Sequence, residues 1–163
     1  MSSGLERQQQ IEVFGKAHTE LLAALENFPQ AMWGYHPTPE AWTIHKILIH
    51  LADSEANGYL RFRKLAAEPG STVLGYDEGK WAEALNYEEQ SVEDALALFK
   101  LLRLTSYKLV KALPEVAWFQ TVQHSENGEM DLDALLKMYA EHVAIHIQQM
   151  QYIFEDWKNQ QHG

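Results

Sequence analysis

The chain has 163 residues, and its 13 lysines and arginines face 23 aspartates and glutamates, a formal charge of −10 that disfavours nucleic acid and anionic membrane as partners. A hydrophobic share of 46% and a charged share of 22% are ordinary for a globular protein, so residues 1–163 are expected to form a single domain. With no run of about 18 uncharged apolar residues, and no basic-then-apolar signal in the opening MSSGLERQQQ, the expected location is cytoplasmic, away from membranes.

The first helical stretch, about Leu5 to Phe28, spaces Ile11, Phe14, His18, Leu21, Leu22 and Leu25 along one face and stops before Pro29. After the turn-like His36-Pro37-Thr38-Pro39, with Thr38 or Thr43 as cap, a second carries Ile44, Ile47, Leu48, Leu51, Leu60 and Phe62 to about Ala66, ahead of Pro69-Gly70. A third opens at Ser91, where Ser91 and Asp94 have capping-box spacing, and runs through Leu96, Phe99, Leu102 and Leu109 until Pro114 closes it. The fourth opens at Asp131 and repeats Leu132, Leu135, Tyr139, Val143, Ile147, Met150, Phe154 and Trp157 on one face. Four amphipathic helices of roughly 20 to 25 residues, about 30 to 37 Å long, predict an all-α four-helix bundle. No β pattern stands out. The long links, about Ala67 to Gln90 with Tyr76-Asp77-Glu78 and Trp81, and Leu113 to Met130 with Trp118, Phe119 and His124, are placed to cover an end of the bundle.

Zero cysteines exclude disulfides, thiolate metal sites and a cysteine nucleophile within the chain, so any metal must be held by histidine and carboxylate. Eight histidines are therefore the residues to follow. At 100° per residue, His142 and His146 lie about 40° apart on the last helix, beside the apolar stripe of Leu135 and Ile153. Such an i,i+4 pair can direct two imidazoles at one ion, although alone it also fits a hydrogen-bonded core pair or a surface coincidence. On the second helix Asp53, Ser54, Asn57 and Arg61 fall within about 60° of His50. A row of polar groups bordered by Ile47 and Leu51 is costly in a core and natural in a lined cavity. A histidine from this row would complete a three-nitrogen set with open positions for water or substrate; the alternative is that His50 bonds Asp53 one turn on.

Trp42-Thr43-Ile44, His50-Leu51-Ala52-Asp53-Ser54-Glu55, Arg61-Phe62, Tyr76-Asp77-Glu78 with Trp81, and Tyr139-x2-His142-x3-His146-Ile147 together resemble the DinB/YfiT-like superfamily, from about Phe28 to Tyr152. The resemblance implies a four-helix bundle in which His50, His142 and His146 bind a divalent metal ion such as zinc or nickel. It further implies either a metal-dependent hydrolase or an S-transferase using bacillithiol or a related low-molecular-weight thiol as cosubstrate, acting on a small molecule, and a homodimer.

Around this set, Asp53 is a candidate to orient His50, or else a surface charge. Arg61 is a candidate to hold a carboxylate of a thiol cofactor or substrate, or else to pair with Asp77 or a glutamate. Tyr76 and Asp77 are candidates to close the pocket, with Asp77 as proton acceptor or as a plain turn residue. His18 reads as a core histidine or an extra donor, His45 as exposed, and His124 as surface unless its loop folds over the site. His36 and His162 carry no signal. The rival readings are a metal-binding module without turnover and a metal-free bundle that binds a small apolar ligand. Glu-x-x-His pairs, His-Glu-x-x-His and Gly-x-Ser-x-Gly are all absent, which excludes ferritin-like di-iron, metalloprotease and nucleophile-elbow chemistry.

Overall fold

The computed structural model describes residues 4–161, so His162 lies outside the described residues. Its helices are α1 (Gly4–Leu25), α2 (Ile44–Ala67), α3 (Glu78–Ala84), α4 (Val92–Ala112) and α5 (Leu132–Gln161). The expected starts are set by side-chain caps. Thr43 Oγ1 accepts from the Lys46 amide at 3.0 Å, Ser91 Oγ from the Asp94 amide at 3.1 Å, and Asp131 Oδ1 from the Ala134 amide at 2.8 Å.

The four long helices pack in the ring order α1, α5, α2, α4, with α1–α2 and α4–α5 on the diagonals. Chain neighbours therefore sit across the bundle from one another at both ends of the sequence. Crossing a diagonal requires a long connection, which is why 26–43 and 113–131 cannot be tight turns. Apolar residues fill the ring in two clusters. One joins Leu21, Ile47, Leu51, Phe99 and Met150; the other joins Phe14, Phe62, Leu65, Leu135 and Tyr139. Full burial of each large apolar side chain contributes about 1.5–3 kcal/mol.

Between the clusters lies a closed polar knot. Arg103 of α4 donates to both carboxylate oxygens of Glu55 of α2 at 2.8 and 2.7 Å, and to the carbonyls of Phe14 and Tyr139 at 3.0 and 3.2 Å. Its guanidinium also lies 4.1 Å from the centre of the Phe14 ring. Gly58 of α2 is required by close packing: a Cβ there would stand 2.6 Å from the Tyr139 ring of α5.

The long links depart from the expectation of a wholly helical chain. A three-stranded sheet joins β1 (Thr72–Val73) in parallel to β2 (Thr121–His124), which pairs antiparallel with β3 (Gly128–Asp131). Val73, Val122 and Met130 seat it on the second apolar cluster. Strands of two to four residues are too short for alternation to register in sequence. The sheet fixes the 113–131 link against the 68–77 link and brings both over one flank of α2 and α5. Among the described residues no helix is long and apolar enough to cross a membrane.

Candidate metal centre

His50 of α2 is fully buried, and its Nε2 lies 3.3 Å from Nε2 of His142 on α5. One turn on, His146 Nε2 lies 3.1 Å from the same His142 atom. One donor atom from each of the three rings falls within 4.8 Å of the others, the one such group of histidines and carboxylates among the described residues. The helical register explains the convergence: α2 and α5 are ring neighbours, and the polar row of α2 faces the i,i+4 pair of α5.

The protonation states favour lone pairs at the centre. Burial, with His146 nearby, pushes the His50 imidazole down to about 3. Burial again, then the neighbouring His146 and His50, pushes His142 down to about 2. Burial also lowers His146. All three rings are thus neutral at pH 7. His146 Nδ1 stands 2.8 Å from Gln149 Oε1; donation of the Nδ1 proton to that oxygen leaves Nε2 as the lone-pair atom. Metal–nitrogen bonds of 2.0–2.1 Å in tetrahedral array imply nitrogen separations of about 3.3 Å. The donor set therefore fits a divalent ion in both chemistry and spacing.

The surroundings revise several expectations. Asp53 does not orient His50: its Oδ2 accepts a 2.5 Å hydrogen bond from the Tyr87 hydroxyl, because α2 turns it toward the short 3-10 turn Tyr87–Glu89. The group at His50 Nδ1 is instead the Tyr76 hydroxyl, at 3.4 Å. Trp42 packs edge-on against the His50 ring at 5.2 Å, and Trp81 lies tilted against Tyr76 at 4.5 Å. Asp77 is no proton acceptor in the pocket; it caps α3, accepting from the Lys80 amide at 2.9 Å, and faces solvent beside the Lys80 ammonium. The next residue, Glu78, is the carboxylate at the histidines, its Oε1 3.9 Å from His50 Nε2. Burial and the charge of Glu126 hold the Glu78 carboxyl above the usual carboxylate range.

Arg61 makes none of the ion pairs among the described residues, with Asp77 or any glutamate. It donates to the Tyr139 hydroxyl at 2.7 Å and to the Leu74 carbonyl at 2.6 Å. His124 is buried rather than on the surface, because the β2–β3 hairpin folds over the site. His18 packs on Phe99 at 6.1 Å and stays outside the centre. His45 is half-buried, with Nε2 2.9 Å from the Gln90 carbonyl, and His36 reaches the Ala41 carbonyl. The sequence left Glu78 without a role of its own and gave His124 as surface unless its loop folds over the site, a condition the hairpin meets. Aspartate serves as readily for an N-cap as for acid–base work, so the sequence does not tell Asp77 from Glu78, and no local pattern marks the pairing that carries His124 to the site.

Comparison with known proteins agrees with this architecture. A protein of Oceanobacillus iheyensis named "Putative metal-dependent hydrolase" is 30% identical over 106 residues, 65% of this chain, and the chain spans 61% of that relative's length. One of Bacillus mycoides with the same designation is 30% identical over 123 residues, covering 76% of this chain and 70% of the relative. A solved structure of YfiT from Bacillus subtilis, described as "a probable metal-dependent hydrolase with an unusual four-helix bundle topology", superposes with a TM-score of 0.85 at 23% identity, over 94% of this chain and 88% of that one. The diagonal connections found here make the same fold. The profile of the DinB superfamily matches residues 14–150, which span His50, His142 and His146, and the chain belongs to that superfamily.

Proposed function

We propose that this protein is a divalent-metal-dependent enzyme that hydrolyses a small molecule, with His50, His142 and His146 as ligands and zinc or nickel as the ion. The observation that carries the reading is the meeting of three neutral imidazole nitrogens from two helices at separations of 3.1 and 3.3 Å. A divalent ion held there would supply Lewis acidity and lower the pKa of a water or thiol brought to it. The chain's own groups do the rest. Gln149 and Tyr76 hold the outer nitrogens of His146 and His50, fixing ring orientation. Glu78, with its raised proton affinity, accepts and returns a proton at Oε1. Asp77 positions Glu78 by capping α3. Trp42 keeps water off the face of His50.

The same ligand set serves an S-transferase, in which a low-molecular-weight thiol such as bacillithiol enters as cosubstrate, since the chain has no cysteine of its own. Protein purified without tag or chelator is expected to carry about one zinc or nickel ion per chain, and His146→Ala to carry none. Ion-dependent turnover of small amides or esters without added thiol establishes the hydrolase. Turnover that requires bacillithiol reassigns the chain to the transferases. Metal retained undiminished by His146→Ala, or no binding of either ion by the wild type at neutral pH, overturns the reading.

A further inference from the structure

Beside the three histidines lies a cavity of about 200 Å³ whose walls include Arg61, His124, Tyr139 and His142. Arg61 is 7% exposed, and with one hydrogen bond each from Nη1 and Nη2 it leaves Nε without a partner. No carboxylate among the described residues lies within ion-pair distance of it. A buried guanidinium with no counter-charge is costly, and buried charges are ordinarily paired.

His124 supplies a second, independent observation. It is 4% exposed, and its Nδ1 lies 3.2 and 3.3 Å from the backbone amides of Glu126 and Asn127, which donate to it. That assigns the ring proton to Nε2, and Nε2 also has no partner. Tyr139, having accepted from Arg61, keeps its own hydroxyl proton to give. Arg61, His124 and Tyr139 therefore stand at one cavity with donor hydrogens that no acceptor among the described residues receives, while Glu78 and Glu126 share its walls.

We infer that this cavity is an anion seat, in which Arg61, with His124 and Tyr139, holds a carboxylate of the small-molecule substrate. The inference deepens the metal-centre reading by naming a substrate class, and it rests on that reading only for the reacting group next door. A monoanion meets less repulsion from these walls than a dianion does. Arg61 supplies one positive charge, while Glu78 and Glu126 also line the cavity and disfavour a dianionic phosphate.

The test follows the Arg61 Nε–H resonance of 15N-arginine-labelled protein, metal-free and zinc-loaded, at constant ionic strength. Sodium acetate, acetamide and inorganic phosphate are titrated separately, and zinc affinity is measured on the same samples. Acetate is expected to give a saturable shift in both forms, acetamide none, and phosphate weaker binding than acetate. Arg61→Gln should weaken acetate about tenfold or more, as expected for a lost charge-assisted bond. Because the wild-type resonance is read directly, the test stands even if that variant folds poorly. No shift, an equal shift with acetamide, tighter binding of phosphate, or acetate binding only to zinc-loaded protein and unchanged in Arg61→Gln would each overturn the seat. An Arg61 signal that ignores acetate but moves in Glu126→Gln would place an internal ion pair there instead. Loss of zinc affinity with acetate binding intact would sink the metal reading alone.

Discussion

Arg103 and Arg61 are both buried arginines that reach across the bundle, yet their surroundings are opposite. Arg103 and Glu55 are each 1% exposed and form a two-pronged pair, with two carbonyls taking further donors. Arg61, 7% exposed, meets a hydroxyl and a carbonyl and no carboxylate. A closed network has nothing left to offer a ligand, so the first arginine locks α1, α2, α4 and α5 together. An open network keeps donors in hand, and the second arginine borders the cavity beside His142.

The most forceful way to break this contrast is Glu55→Ala, which strands the Arg103 charge in the core. A loss of about 3–5 kcal/mol is expected in urea denaturation, and a loss near zero would contradict the knot's structural role. Next comes Gly58→Ala. The added Cβ meets the Tyr139 ring, and the strain, about 1–3 kcal/mol, outweighs a gain in helix propensity of up to about 1 kcal/mol. Unchanged or increased stability would show that Tyr139 yields freely.

The third is the pH response of the metal-free protein. Folded pKa values of about 3 for His50 and about 2 for His142 lie below the unfolded value near 6.5, so the unfolded chain binds more protons in acid. Their contribution is fully present above pH 6.5 and is lost as pH falls from there toward 3, by about 1.4 kcal/mol per pH unit for each ring. Denaturation at pH 7.5 and 5.0 should show a steeper loss in wild type than in His142→Gln; equal slopes would refute the neutral assignment. The smallest effect belongs to Arg61→Gln. It removes two hydrogen bonds but also an unpaired buried charge, so its stability should stay within about 1 kcal/mol of wild type. A loss as large as that of Glu55→Ala would make Arg61 a structural residue like Arg103.

Much of the architecture was legible because it is local. Helical spacing with Ser91 and Asp131 places the starts of α4 and α5 to within a residue or two, and of the two caps offered for α2, Thr38 and Thr43, the second makes the bond. The three histidines were legible only in part from local pattern: His142 and His146 share a face by spacing and His50 stands in a polar row that an apolar core would not tolerate, but it was the resemblance to the superfamily that joined them into one set. What escaped is non-local. The strands are too short to alternate, α3 spans only Glu78–Ala84, and His124 reaches the site through a hairpin whose pairing no local pattern encodes. Asp77 illustrates a different confusion. A carboxylate that caps a helix and one that handles protons look alike in sequence, and only the Lys80 amide tells them apart. Arg103 and Glu55 lie 48 positions apart on different helices, so their pairing had no local sign.

The central claim, that His50, His142 and His146 jointly hold one divalent ion, is tested most directly by zinc X-ray absorption on protein loaded with one equivalent of zinc. Three imidazole nitrogens at about 2.0–2.1 Å, falling to two in His142→Ala, are the predicted result. A shell with fewer than three imidazoles in the wild type, or one unaltered in the variant, would contradict it.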